Sequence, residues 1–180
     1  MEKAIIRKCF ILICGLMFLS TTMAQQQRML PCSGDIYRQF DFWIGHWEVF
    51  GKNNQKAGDS KISIMLDSCV ILEEWTSSGN QQGLRYAGKS FNSYNNTTGQ
   101  WQQTWVDNTG GSIQYLSGKF ENGRMVFQTG PFPFKPDSMA IRRLTFYHLE
   151  KNKVRQHGEI SKDNGSSWIT EYDLEYRRTN

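Results

Sequence analysis

The stretch WQQTWVDNTGGSIQYLSGKFENGRMVFQT, residues 101–129, decides the fold class. Its first run, 101–107, places both tryptophans on one face, because successive side chains of a β-strand point to opposite sides. Two more short runs with strand-like composition follow at 112–120 and 124–129. Asn122-Gly123 separates the last two runs, and this pair strongly favours a tight hairpin turn. The stretch therefore predicts an antiparallel meander of three strands.

The same pattern continues through most of the chain from Asp41 onward. Short strand-like runs are interrupted by turn residues about every 8–12 positions, and Ser78-Gly79-Asn80 is one of the predicted turns. Apart from a short turn or helix around 33–40, no segment has a helical period. The pattern predicts about ten strands, at 43–50, 60–66, 69–76, 83–94, 101–107, 112–120, 124–129, 139–149, 154–161 and 167–178.

This arrangement predicts an all-β fold, a single antiparallel up-and-down β-barrel of about ten strands. Closure into a barrel removes the exposed sheet edges. A β-sandwich is the alternative, but it usually needs longer crossings, which only residues 130–138 could supply. Residues 130–136 contain three of the four prolines and are therefore no central strand. We expect a rim loop or lid there.

Residues 1–24 have the organisation of a secretory signal peptide. A basic start precedes an uncharged apolar run at 9–19, and small residues end at Ala24, where cleavage is expected. The run has about 11 residues, well short of the roughly 20 that a membrane-spanning helix needs, so no membrane span is predicted. The sequence thus predicts a secreted or periplasmic protein in which residues 25–180 form one β-barrel domain.

The cysteines divide between these two parts. Cys9 and Cys14 leave with the signal peptide, so Cys32 and Cys69 remain in the mature chain. Export would place the two thiols where disulfides persist, and they form neither a CxxC redox motif nor a zinc site. We therefore expect a Cys32–Cys69 disulfide that ties the mature N-terminal segment to the barrel.

Two local motifs have structural interpretations. The Gly-x-Trp at 45–47 predicts that another backbone approaches Gly45 closely and that Trp47 plugs the barrel end. Residues 161–168 match the Ser-x-Asp-x-Gly-x-Ser/Thr-Trp pattern known from sialidase-type propellers. A propeller needs repeated copies, and this chain has one, so the pattern predicts a stapled hairpin turn rather than a glycosidase.

Four segments carry a resemblance to a known family: FDFWIGHWEV at 40–49, DSCVILEEW at 67–75, GQWQQTWVD at 99–107 and RQHGEIS at 155–161. They resemble a family of bacterial secreted domains of unknown function with lipocalin-like or fatty-acid-binding-protein-like (calycin) barrels. The usual opening of that family is similar to Phe-Asp-Phe-Trp-x-Gly-x-Trp. His46 departs from the pattern, since an acidic or small polar residue is expected there. The resemblance implies a barrel and export, and it carries no established activity.

The aromatic residues on the predicted strands favour a binding protein for a small apolar or amphipathic molecule held in the barrel lumen. Aromatic side chains would form the wall and polar ones would orient the ligand. A barrel packed solid by the same side chains, serving a structural or interaction role, is an alternative. The candidate lumen residues are Trp47, Glu74, Trp75, Arg85, Tyr86, Trp101, Gln103, Trp105, Tyr115, Arg143 and Gln156.

An enzyme of the hydrolase or isomerase type is the second alternative. The sequence shows no GxSxG, no HExxH and no recognisable nucleophile–base pair, which favours binding over catalysis. No cofactor and no metal site are predicted. His157 is a weak candidate for a heme ligand, by similarity to nitrobindin-like ten-stranded barrels. The net charge of +4 is small and scattered, which argues against a nucleic-acid partner.

Overall fold

The computed structural model describes residues 31–81 and 83–179, so the predicted signal peptide lies outside the described residues. A short helix α1 (Asp35–Arg38) and a 3₁₀ turn (Asp41–Trp43) precede the strands. The strands are β1 (Gly45–Phe50), β2 (Lys56–Met65), β3 (Val70–Gln81), β4 (Leu84–Asn95), β5 (Gln100–Asp107), β6 (Ser112–Glu121), β7 (Arg124–Gln128), β8 (Phe132–Lys135), β9 (Ser138–Glu150), β10 (Lys153–Ser161) and β11 (Ile169–Arg178).

Ten of these strands close into an antiparallel barrel. Each strand from β1 to β7 pairs with the next, β7 pairs with β9, and β9, β10, β11 and β1 complete the ring. Strand β8 pairs only with the beginning of β9 and lies outside the ring. The predicted all-β up-and-down barrel is confirmed. The alternative β-sandwich is wrong, because one continuous sheet closes on itself.

Two predicted connections differ from the structure. The turn predicted at Ser78–Asn80 is wrong, because β3 continues to Gln81 through an irregularity in its pairing with β4 between Thr76 and Asn80. A bulge absorbs extra residues without ending a strand, which composition alone does not reveal. The proline-rich segment contains the short strand β8, which pairs on one side only, as proline at a sheet edge requires.

One end of the barrel is closed by the residues that precede β1. Phe40 and Trp43 are fully buried there, with their rings stacked at 5.0 Å, and Phe40 meets Phe146 of β9 at 4.9 Å. The indole N–H of Trp47 donates to the Trp43 carbonyl over 2.8 Å. These aromatic side chains fill this half of the barrel. The buried cluster also contains Val49, Ile62, Ile71, Trp101, Met125, Phe127, Val154 and Tyr176.

Gly45 accommodates a side chain rather than a backbone. A Cβ added there would lie 2.0 Å from Nη1 of Arg178. That guanidinium donates to the Ile44 carbonyl over 2.7 Å and lies 4.1 Å from the Trp47 ring. The predicted backbone approach at Gly45 is therefore wrong, although Trp47 does help to fill the closed end. Glycine suits position 45 because its backbone φ of +144° is one that other residues rarely adopt, and because the Arg178 side chain crosses over it.

The predicted disulfide between Cys32 and Cys69 is present. Cys69 follows the β2–β3 turn at the closed end, and the guanidinium of Arg38 donates to the Ser68 carbonyl in the same turn over 2.6 Å. The covalent bond and this hydrogen bond attach the segment before β1 to the barrel. The bridge joins positions 37 residues apart, a spacing for which chain entropy gives about 3–4 kcal/mol of stabilisation.

The β10–β11 connection contains the Ser-x-Asp-x-Gly-x-Ser/Thr-Trp motif at residues 161–168. The Asp163 carboxylate accepts hydrogen bonds from the Ser167 N–H at 2.8 Å and the Ser161 hydroxyl at 2.7 Å. Hydrogen bonds, chiefly from the Ser167 side chain, lower the Asp163 pKa to about 2. The motif therefore acts as a local staple of one hairpin.

Candidate functional site

A cavity of about 360 Å³ occupies the half of the barrel opposite the closed end. Strand β3 leads away from the closed end, so Ile71 lies in the aromatic core, whereas Glu73, Trp75 and Ser77 line the cavity. The remaining lining residues are Ala57, Tyr86, Gln103, Trp105, Ile113, Tyr115, Leu144, Gln156, Tyr172, Leu174 and Tyr176. A mostly apolar, aromatic wall with a few converging polar groups is typical of small-molecule sites.

Glu73 is the central polar group of this cavity. Its side chain is only 2% exposed. One carboxyl oxygen accepts from the Ser60 hydroxyl at 2.9 Å and contacts the Tyr176 hydroxyl at 3.1 Å; the other accepts from Ser90 at 3.0 Å. Burial raises the Glu73 pKa to about 6, although these three hydrogen bonds act in the opposite direction. Glu73 is therefore a buried acid that titrates close to neutral pH.

Further hydrogen bonds extend this polar group across the middle of the barrel. The Asn92 amide donates to the Ser90 hydroxyl and to the Ile71 carbonyl, each over 3.0 Å. The Gln103 amide donates to Oδ1 of Asn92 over 2.7 Å. A polar layer thus separates the aromatic core at the closed end from the cavity above it, and its members leave few buried polar atoms unpaired.

The Tyr176 hydroxyl has one proton to donate but lies within hydrogen-bonding distance of two acceptors. Its hydroxyl lies 3.1 Å from Glu73 and 2.9 Å from Oε1 of Gln156. If Tyr176 donates to Gln156, Glu73 must be protonated and donate to Tyr176. If Tyr176 donates to an ionised Glu73, the Gln156 amide must turn its N–H toward the phenol. The state of Glu73 is thereby coupled to the group that Gln156 presents to the cavity.

Two further tyrosines, Tyr115 on β6 and Tyr172 on β11, also line the cavity. Burial raises the Tyr115 pKa to about 12 and the Tyr172 pKa well above its ordinary value. The Tyr172 ring lies over Gly158, where an added Cβ would come within 2.4 Å of it. The absence of a side chain at Gly158 therefore lets the Tyr172 ring lie flat against β10.

Asp107 holds two aromatic side chains in place near the open end. Its Oδ2 accepts from the Tyr86 hydroxyl and from the Trp105 indole N–H, each at 3.2 Å. Its Oδ1 accepts from the backbone N–H groups of Thr109 and Gly111. Hydrogen bonds, chiefly from the Thr109 side chain, lower the Asp107 pKa to about 2. The carboxylate thus connects the β5–β6 turn to the cavity wall.

An ion pair and a cation–π contact join three strands at the same end of the barrel. The Arg142 guanidinium contacts the Glu171 carboxylate at 2.8 Å and lies 4.7 Å from the Phe132 ring. Arg142 belongs to β9, Glu171 to β11 and Phe132 to β8. The extra strand β8 is thereby packed against the open end.

The structure brings six of the eleven candidate lumen residues together on the cavity wall. Trp75, Gln103 and Trp105 are among them, and the alternation predicted for β3 and β5 explains their common orientation. Their role in ligand binding stays a prediction. The complete set is Trp75, Tyr86, Gln103, Trp105, Tyr115 and Gln156.

Two of the candidates point inward but lie below the cavity. Trp47 and Trp101 are both 2% exposed and belong to the aromatic core at the closed end. The Trp101 indole N–H donates to Oε1 of Gln39 over 3.1 Å. The sequence correctly predicted that both side chains point into the barrel. It did not predict how far along the barrel axis they lie. Neither residue is among those that line the cavity.

The charged candidates lie outside the cavity. Glu74 is one position from Glu73, so it faces outward and pairs with Lys89 at 2.8 Å. Arg85 is exposed and donates to the Ser77 carbonyl. Arg143 lies on the outer face, 2.9 Å from Glu159 and 4.1 Å from the Trp168 ring. Each guanidinium or carboxylate avoids the low-polarity interior by facing solvent or a partner, so the prediction that they line the lumen was wrong.

The weak heme-ligand candidate, His157, also points away from the lumen. Its Nε2 lies 3.0 Å from the Thr170 hydroxyl and its Nδ1 lies 3.6 Å from Glu159. Gln156 and Gly158, its neighbours on β10, are the residues that face inward. An imidazole on the outer face cannot ligate a group in the lumen, which overturns this candidate.

Three cavity residues, Glu73, Tyr172 and Tyr176, were not among the predicted lumen residues. Strand alternation could have found Glu73, since Trp75 was already assigned to the lumen and residues two apart share a face. The same rule links Tyr172 to Tyr176 on β11. Glu74 and Trp75 could never both face inward, so the original set contained a contradiction.

None of the helices in the described part of the chain has the length and apolar character needed to cross a membrane. No protein-family model matches the sequence, and a search of curated proteins likewise finds no match.

Proposed function

We propose that the protein binds a small, partly apolar molecule in the upper half of its barrel. The aromatic cavity of about 360 Å³, with Glu73 at its floor, is the observation that carries this proposal. Its size falls in the range of ligand pockets, and its wall offers apolar surface to a ligand body. Gln103 and Gln156 add polar groups that can orient one end of the ligand. The solid-barrel alternative fits the closed half, which buried aromatic side chains such as Phe40, Trp43 and Trp101 fill.

Export is part of the same proposal. We propose that residues 1–24 direct secretion and are cleaved after Ala24, giving a secreted or periplasmic protein. The Cys32–Cys69 disulfide supports this, because such bonds persist in oxidising compartments. We also propose membership of the calycin-like family that the sequence resembles, for which the ten-stranded barrel is the expected fold.

Glu73 favours acid–base catalysis as a second candidate function. A buried carboxyl with a pKa of about 6 can both donate and accept a proton near neutral pH. Isomerisation by proton transfer is a reaction class that such a single group can support. Turnover of a carbonyl compound that is abolished by Glu73→Gln, with ligand affinity retained, would favour the enzyme over the carrier.

Native mass spectrometry of the protein purified from its own host tests the binding proposal directly. We expect a bound molecule that dissociates on unfolding. A second measurement follows the fluorescence of the neutral probe N-phenyl-1-naphthylamine, which should increase on entering the cavity. Ile113→Trp should fill the cavity and abolish this increase.

Val106→Trp is the matched control for the cavity-filling variant. Val106 lies on the neighbouring strand and is 39% exposed, so the same substitution there leaves the cavity open. Equal probe binding by Ile113→Trp and by the unaltered protein would contradict the proposed site. Absence of both a bound molecule and probe binding would contradict the proposed function.

A further inference from the structure

The described residues that line the cavity include one acidic side chain and no basic one. Of the residues that line it, Glu73 is the one carboxylate, and the lining contains no Arg, Lys or His among the residues the structure describes. Its other titratable groups are tyrosines, whose ordinary pKa of about 10 keeps them neutral at pH 7.5, and burial of Tyr115 and Tyr176 raises their pKa further. We infer that the ligand is an organic amine, bound with its ammonium group at Glu73 and its apolar body against the aromatic wall; this rests on the proposed function.

Among residues 31–81 and 83–179, no Lys, Arg or His forms an ion pair with Glu73. The groups that face it are the hydroxyls of Ser60 from β2, Ser90 from β4 and Tyr176 from β11, and the phenols of Tyr86 and Tyr172 lie close enough to interact with its charge. In the described part of the chain, ionised Glu73 is therefore a buried charge stabilised by the hydroxyl groups of Ser60, Ser90 and Tyr176. Such a charge costs free energy unless an opposite charge arrives.

Arg142 does not fill this role. Its guanidinium lies close enough to Tyr115 and Tyr172 to interact electrostatically with their phenols. It is, however, paired with Glu171 through two hydrogen bonds, at 2.8 and 3.1 Å. Glu171 neutralises it within that pair. A carboxylate ligand placed at the floor would thus meet Glu73 without a counter-charge, whereas an ammonium would meet its complement.

Glu73 also has room for one more donor. A carboxylate offers about four lone-pair positions, and three hydroxyls already occupy the two oxygens of Glu73. Glu73 is 2% exposed and lies on the cavity wall, so the proposal requires a ligand N–H to reach the remaining position from the cavity. A hydrogen bond between two charged groups is about twice as strong as one between neutral groups.

The aromatic rings suit the same ligand. Trp75, Trp105 and Tyr86 surround the space above Glu73, and the faces of such rings attract cations, tryptophan most strongly. They also offer the apolar contact that the rest of an arylalkyl or alkyl amine needs. One acid, aromatic walls and no lining cation together select for positive charge on an apolar body.

The test compares three probes that share a naphthyl body: 2-(1-naphthyl)ethylamine, 2-(1-naphthyl)ethanol and 1-naphthylacetate. Their affinities are measured by calorimetry at pH 7.5. We expect the amine to bind at least tenfold more tightly than the alcohol, and the acetate to bind most weakly. Glu73→Gln should reduce the preference for the amine to less than threefold, whereas Glu74→Gln, the same change on the outer face, should preserve it.

The unaltered protein provides a test that does not depend on how a variant folds. Glu73 is protonated at pH 5 in the empty cavity, so affinity for the amine should fall several-fold between pH 7.5 and 5, while affinity for the alcohol stays constant. Equal or tighter binding of the alcohol or acetate at pH 7.5 would overturn the amine inference and leave the binding function standing.

The remaining outcomes separate the inference from the function on which it rests. If N-phenyl-1-naphthylamine binds in the cavity but the naphthyl amine does not, the ligand class is wrong and the cavity still binds. If neither that probe nor any of the three naphthyl compounds binds, both the inference and the proposed function are overturned.

Discussion

The hydroxyl oxygen of Tyr176 lies 3.1 Å from a carboxyl oxygen of Glu73, joining residues 103 positions apart in the chain. Strand β11 pairs with β1 and strand β3 pairs with β2, so the contact spans the interior of the closed barrel. It stands at the boundary between the aromatic core and the cavity. The same pair thus links the stability of the barrel to the chemistry of the proposed site.

Tyr176→Phe should destabilise the protein by about 1–3 kcal/mol, because it leaves buried hydrogen-bonding groups without a partner. The Glu73 pKa should rise above 6, since the Tyr176 hydroxyl lowers it in the unaltered protein. Urea unfolding and carboxyl titration by NMR measure the two effects. Tyr147→Phe, on the outer face, serves as the control; a Glu73 titration that is the same in all three proteins would contradict the assignment.

Glu73→Gln should change the pH dependence of stability. The Glu73 pKa is about 6 in the folded protein and 4.5 ordinarily, so the folded state binds more protons between these values. Stability of the unaltered protein should therefore fall as pH rises from 4.5 to 6. The variant should lack this decrease and gain up to about 2 kcal/mol at pH 7.5, given about 1.4 kcal/mol per pKa unit.

Urea unfolding across pH 4–8 measures this difference, with Glu74→Gln as the matched control. Glu74 is partly exposed and its pKa is lowered, chiefly by its hydrogen bond with Lys89, so its removal should leave the decrease between pH 4.5 and 6 intact. Parallel profiles for Glu73→Gln and the unaltered protein would show that Glu73 is not the group that titrates.

Asp107→Asn should weaken the open end of the barrel. The folded-state pKa of Asp107 is about 2, below the ordinary 3.8, so its carboxylate stabilises the fold above pH 3.8 and loses this contribution as pH falls toward 2. The variant should melt at a lower temperature at pH 7. Its deficit should shrink as pH falls from 4 toward 2, and a constant deficit across that range would refute the role of the charge.

Replacing both Cys32 and Cys69 by alanine should cost roughly 3–4 kcal/mol of stability, the loop-closure estimate for this spacing. The unaltered protein treated with a reductant should lose a similar amount in urea unfolding. The double variant should be insensitive to the reductant, which makes it an internal control. Equal midpoints for the oxidised and reduced unaltered protein would show that the bridge contributes little.

The sequence predicted the path of the chain better than the contents of the barrel. The meander at 101–129 and its Asn122-Gly123 hairpin follow from local rules of alternation and turn chemistry, and the structure has β5, β6 and β7 there. The Ser78–Asn80 region was misjudged because small turn-forming residues also occur in bulges. That distinction depends on pairing with β4, which local sequence does not report.

To predict the site, one needs to know which face of its strand a residue occupies and how far along the barrel axis it lies. Only the first of these can be inferred from local sequence. Strand face is readable from sequence, and consistent use of it would have chosen Glu73 over Glu74. Height along the barrel is not readable locally. Trp101 and Trp105 share a face of β5, yet one is in the core and the other in the cavity wall, because Phe40 and Trp43 enter from the end nearer Trp101.

The filling of one half of the barrel has a consequence for how its binding surface can change over evolution. The plug formed by Phe40 and Trp43 and the aromatic cluster around it concentrate the packing that holds the fold below the polar layer. Positions such as Ala57, Ile113 and Leu174 line the cavity instead, although Ile113 and Leu174 also pack against that cluster. Substitutions there can reshape the cavity without touching Phe40 or Trp43, so the lower half serves as a constant foundation on which different ligand preferences can arise.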